Sequence, residues 1–289
     1  MIPSTQRTTA LPALTALPAP TAPTVPTVPT VPTDGRSIEA EPSQLPQYSF
    51  ARILGTWAAA ALPMAFLAWV VAPRLWTAFD GPSAGPRAII LCLTLGLIWQ
   101  FLLVAVLVRR EQGTLRWSVV KEALWLRAPR SPRTGRRGGW LWLLIVPLVV
   151  GIAAKEMLVN IPIPVPADRD LGLLLRSDAG QDFFSGNWTW FALLVTMWVF
   201  NTVLGEELLF RGLLLPRMQR ACGRWDWVVN GLLFTAYHLH VPWAMPKVLL
   251  DTLIVVYPSR RYRSAVLGIA AHSVQSVVFA ILVLILVLR

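Results

Sequence analysis

The chain has 289 residues, 55% of them hydrophobic and 14% charged, with a formal net charge of +11. So large an apolar fraction with so few charges excludes an ordinary soluble globular domain and makes the bilayer the solvent to reason about. The net charge alone would suit nucleic-acid binding, but that needs a basic face on a soluble domain, and here the charge collects in loops between apolar runs.

Residues 1–50 are rich in Pro, Thr and Ala, with Thr-Val-Pro repeating from Thr24 to Pro32. That composition cannot bury a core and predicts an extended or disordered tail. A secretory signal places basic residues and then an apolar stretch at the very start, whereas the first apolar run here opens near Ile53 and reads as a retained anchor. A helix needs roughly 20 apolar residues to cross a hydrocarbon core of about 30 Å. Runs at 53–72, 88–108, 140–154, 188–218, 227–239, 243–257 and 264–288 predict seven spans, with room for an eighth. The runs at 227–239 and 243–257 are short and punctuated by histidine and proline. They predict tilted, broken or re-entrant elements, which a membrane tolerates only where protein or water satisfies the backbone.

The fold class expected is therefore all-α, a polytopic transmembrane helix bundle behind a disordered tail. Orientation follows from Lys and Arg, which cytoplasmic loops retain during insertion. Residues 109–138 hold nine basic residues against two acidic, and residues 155–187 hold three against five. The first segment is placed in the cytoplasm with the N-terminus, and the second outside. The basic stretches 217–224 and 260–263 then also fall inside, and Trp188, Trp190, Trp225 and Trp227 sit at span ends, where indole rings favour the interface. The two cysteines, Cys92 and Cys222, have neither the number nor the spacing of a disulfide framework or a zinc knuckle.

Within the fourth run stands Gly205-Glu206-Glu207-Leu208-Leu209-Phe210-Arg211-Gly212. An ionisable residue in a spanning helix costs about 2.5 to 3.5 kcal/mol on insertion scales, so three in six residues call for a reason. At helical spacing Glu207 and Arg211 are one turn apart and can pair, whereas Glu206 is turned about 100° away toward another neighbour. The bland reading is structural, an ion-paired cluster that holds the bundle together. Against it stand histidines on two further apolar helices, His238 in Phe234-Thr235-Ala236-Tyr237-His238 and His272 in His272-Ser273-Val274-Gln275-Ser276. Either histidine alone suggests packing, but a glutamate with two histidines supplies an acid/base, a proton partner and a donor or ligand set. Asn230, His240 and Trp243 read as structural or supporting.

At these residues the chain resembles the family of CAAX prenyl proteases and bacteriocin-processing or immunity proteins. The family's motifs are Glu-Glu-x-x-x-Arg, Phe-x-x-x-His and His-x-x-x-Asn. Glu206, Glu207 and Arg211 fill the first, Phe234 and His238 the second, and His272 opens the third, where Ser276 stands in place of Asn. The resemblance implies an intramembrane endopeptidase with its catalytic domain over 139–289, preceded by two N-terminal transmembrane helices and the basic loop over 51–138. In that reading Glu206 and His238 activate a water, His272 stabilises the oxyanion, with Ser276 if it can reach, and Glu207 and Arg211 orient the helix. The same Glu206, His238 and His272 also match the carboxylate and two-histidine ligand set of catalytic zinc, so a metal-free and a zinc mechanism both stand.

A membrane scaffold or immunity-type binding protein is the alternative from another class, and the replacement of Asn by Ser276 keeps it open. A proton-coupled transporter is weaker, because no inverted repeat or paired broken helices are visible. The partners expected are a membrane peptide or protein substrate and the lipid bilayer. Heavy use of Arg, Ala, Pro and Trp points to a GC-rich bacterium and hence to its inner membrane.

Overall fold

The computed structural model describes residues 45–289. The expected disordered tail therefore lies almost wholly outside the described residues. Within them the structure is all-α, as long apolar runs demand, because a helix satisfies its own backbone where no water can.

Five helices are long and apolar enough to cross a membrane: α1 (Phe50–Trp76), α2 (Ala84–Gln112), α4 (Gly139–Leu158), α7 (Trp188–Arg217) and α10 (Ala265–Val287). Shorter helices connect them. The first is α3 (Trp117–Ala123) and the next two are α5 (Leu171–Arg176) and α6 (Asp178–Phe184). Then come α8 (Asp226–Tyr237), which tightens into a 3₁₀ turn over His238–His240, and α9 (residues 245–261). The apolar runs at 227–239 and 243–257 thus do fold as helices, but α8 has 12 residues, well short of the roughly 20 that a straight crossing needs.

Side-chain contacts gather the helix ends at two rims. On one, Tyr48 and Arg52 meet Glu111 at the end of α2, and Arg217 at the end of α7 meets the same carboxylate at 2.9 Å. Arg260 at the end of α9 pairs with Asp226 at the start of α8 at 2.7 Å, on the side where Ala265 begins α10. On the opposite rim, the Gly186 N–H donates to the carbonyl of Val287 at 3.0 Å and Trp69 Nε1 donates to Leu239 O at 2.8 Å. The basic segments at 109–138, 217–224 and 260–263 all fall on the first rim.

α7 is the axis of the bundle: 56% of its most apolar window is buried against protein, compared with 11% for α4 and for α10. From Gly205 to Arg217 every residue of α7 is buried, so its charges meet protein rather than lipid. α2 and α10 pack against its middle, and Phe210 and Phe234 join it to α8 with ring centroids 5.0 Å apart. α9 packs outside α8, and Lys155 from α4 reaches in to Asp251 at 2.8 Å.

Candidate active site

The middle of α7 departs from α-helical winding. After regular turns over Trp188–Val199, wide π-type turns run over Phe200–Gly205 and Leu208–Leu214, and Glu206 and Glu207 sit between them. Such bulges re-aim the side chains beside them and recur at functional sites. A side chain on Gly205 would start 3.3 Å from Gln100 Oε1 and 3.4 Å from the carbonyl of Leu97, so the missing side chain lets α2 lie directly against the bulge.

Glu207 is fully buried, hydrogen-bonded through one oxygen and ion-paired without a hydrogen bond through the other. Oε1 lies 3.0 Å from His272 Nδ1 and Oε2 lies 3.4 Å from Arg211 Nε. Gly268 stands one turn before His272 on α10, and a Cβ there would sit 2.5 Å from Glu207 Oε2. The structure thus gives Glu207 the expected partner Arg211 and adds one the spacing did not suggest, the third-motif histidine.

Phe234 joins the remaining pieces. The Arg211 guanidinium lies 3.9 Å over its ring, and the rings of His238 and His272 meet it nearly edge-on at 4.9 and 6.1 Å. One benzyl group therefore touches a residue from each of the three motifs. His238 Nδ1 is 2.8 Å from the carbonyl of Phe234. A carbonyl only accepts, so Nδ1 carries the proton and Nε2 of the neutral ring keeps its lone pair. Ser276 is buried one turn beyond His272 on the same helix.

Glu206 is buried at 2% exposure, and its Oε2 has no hydrogen-bond partner among the described residues. Near it the Tyr237 hydroxyl and the Gln100 amide face each other without a hydrogen bond of ordinary geometry, and Tyr237 is within electrostatic range of Glu206. No hydrogen bond joins Glu206 to His238 or His272 among the described residues. Leaving a buried polar group without a partner costs about 1–3 kcal/mol, so a concentration of them marks a place shaped for a polar guest. Neither Tyr237 nor Gln100 belongs to a motif spacing. Gln100 lies alone in the apolar run of α2, and that isolation was its one available signal.

Asn230 donates to the carbonyl of Phe210 at 2.9 Å, and the His240 ring stacks on His238 at 5.4 Å, in keeping with supporting places for both. No three His, Cys, Asp or Glu side chains among the described residues are grouped as the ligands of a metal. Glu206, His238 and His272 are carried by three different helices, α7, the end of α8 and α10.

Residues 187–278 match the family model described as Type II CAAX prenyl endopeptidase Rce1-like. No curated protein and no solved structure matches the chain. The matched stretch takes in α7, α8, α9 and the first half of α10, and so Glu206, His238, His272 and Ser276, while α1, α2 and α4 lie before it. A stretch that carries this cluster on these helices is an Rce1-like domain of the type II CAAX prenyl endopeptidase family, a peptidase family, set in a multi-pass integral membrane protein.

Proposed function

We propose that the chain is an intramembrane endopeptidase that hydrolyses a peptide bond of a membrane-associated protein or peptide, with Glu206, His238 and His272 as its catalytic residues. The observation that carries this reading is the free carboxylate oxygen of Glu206, buried among other unpartnered polar atoms in the bundle's central helix. Glu206 takes a proton from water, with the Nε2 lone pair of His238 orienting that water or sharing the proton. The hydroxide oxygen bonds to the scissile carbonyl carbon as the C=O electron pair moves onto oxygen. His272 donates an N–H to that oxyanion from Nε2, its second proton balanced by the Glu207 carboxylate at Nδ1. The intermediate then collapses, the C–N bond breaks, and the leaving amine takes the proton first removed from water. Glu207, Arg211 and Phe234 position these groups, and Ser276 offers its hydroxyl to the oxyanion.

The same reading gives residues 139–289 as the catalytic domain and residues 51–138 as an accessory pair of helices with a basic loop. It takes α8 and α9 as short, tilted passes that complete a seven-span bundle, which the alternation of their ends between the two rims supports. The basic rim and the N-terminus face the cytoplasm of a bacterial inner membrane.

Comparative proteomics of membranes from the wild type and a Glu206→Gln strain tests the proposal. Uncleaved membrane peptides should accumulate in the variant, and cleavage of one of them by purified Glu206→Gln protein should fall by about 10²- to 10⁴-fold. Undiminished cleavage would refute the assignment, and an empty list would favour a scaffold.

A further inference from the structure

We propose that a cavity on the basic rim binds the phosphate of an anionic phospholipid headgroup. The cavity has a volume of about 370 Å³, and its lining includes Arg130, Ser131, Gly135, Arg260, Arg261 and Arg263. Arg260 is already neutralised by Asp226 at 2.7 Å. Arg130, Arg261 and Arg263 make no ion pair among the described residues, so three positive charges face one hollow without a carboxylate to balance them. Like charges repel, and such a grouping is stabilised by an anion; the planar guanidinium fork fits phosphate oxygens in pairs.

The walls are built rather than incidental. The Arg130 N–H donates to the carbonyl of Tyr262 at 2.8 Å, Ser264 Oγ donates to Arg127 O at 2.6 Å, and the Ala265 N–H donates to Trp125 O at 2.9 Å. These bonds fasten the loop after α3 to the linker before α10, and the cavity lies between that loop and the end of α9 with the linker that follows it. Arg130 Nε donates to Gly135 O at 3.2 Å, which fixes its guanidinium. Arg263 takes φ +50°, a left-handed backbone that arginine seldom adopts, and its carbonyl accepts from Arg127 Nε at 3.2 Å.

Depth decides between a lipid and a free anion. Arg260 and Arg261 end α9, and Arg263 lies two residues before Ala265, the first residue of the spanning helix α10. The cavity therefore sits at the end of the hydrocarbon, at the level of the headgroup phosphates, where basic pockets between helix ends gather anionic lipids. α10 carries His272, so the anchored linker is also the entry to a helix of the active site.

Native mass spectrometry of the purified full-length protein in a neutral detergent tests the proposal, with phosphatidylglycerol, phosphatidylcholine and inorganic phosphate as separate arms. Phosphatidylglycerol should be retained and phosphatidylcholine should not. The R261Q/R263Q variant should bind phosphatidylglycerol roughly 10- to 30-fold more weakly, and R130Q, which leaves both exposed arginines in place, should also weaken it severalfold. An R109Q/R110Q control, which removes the same charge from the same rim at the end of α2, should change it less than about threefold. Equal loss in the control would reduce the site to a diffuse field and overturn the proposal, as would equal retention of phosphatidylcholine. Displacement of the lipid by millimolar inorganic phosphate would identify a free anion as the ligand and overturn the lipid assignment.

Discussion

Phe234 does for this site what no charged residue can, because a flat apolar ring packs against a guanidinium and two imidazoles at once without competing for their hydrogen bonds. Phe234→Leu keeps an apolar side chain but removes the ring face on which Arg211 rests, a cation–π contact worth about 2 kcal/mol when desolvated. The variant should insert and fold while its turnover falls about tenfold or more, as measured on the substrate identified with Glu206→Gln. Unchanged turnover would mean that the ring merely fills space. Glu207 shows how a residue's place escapes a one-dimensional spacing. The i to i+4 relation revealed Arg211, but His272 follows Glu207 by 65 residues, and only packing of α10 on α7 brings them to 3.0 Å.

Among the elements, α7 and α10 fit each other through small residues, as helices must when lipid supplies no hydrophobic drive between them. Gly268 is where this fit is tightest. Gly268→Ala would place a methyl 2.5 Å from Glu207 Oε2 and 2.9 Å from Ser259 Oγ, so the carboxylate or α10 must shift. Overpacking of this kind costs about 1–3 kcal/mol. The variant should lower both the thermal midpoint and the rate, and a Glu207→Asp second change, which withdraws the carboxylate by one methylene, should restore part of the stability. No restoration would place the clash elsewhere. The sequence led to α7 as a long apolar helix but not to its π-type turns, since both windings present the same apolar composition and the wide turns lie where α2 and α10 pack on α7.

In the whole molecule, one carboxylate ties three chain segments together on the basic rim. Glu111 accepts from Tyr48, pairs with Arg52 at 2.7 Å and holds the fully buried Arg217 at 2.9 Å, and burial together with the bond to Glu111 pushes the Tyr48 phenol pKa up. Removing one partner of a buried pair leaves the other charge stranded, at a cost of about 3–5 kcal/mol. Glu111→Gln should therefore lower the thermal midpoint of the purified protein markedly, while Arg52→Gln, whose side chain is 46% exposed, should lower it little. Equal effects would show that the rim is not organised around Arg217.

The sequence by itself determined the solvent, the all-α class, the rim that carries the positive charge and the three motifs, because each of these is set by composition or by spacing within one helix. It did not determine which polar residues share a pocket. Gln100, Tyr237 and Glu206 are far apart in the chain, and their grouping as unpartnered atoms follows from how α2 and α8 pack on α7. The split of the acidic pair follows from the same packing, with Glu207 drawn to Arg211 and His272 and Glu206 left without a partner. Only the tertiary structure decided it, since adjacent carboxylates on one helix are alike until neighbouring helices supply a partner to one and withhold it from the other.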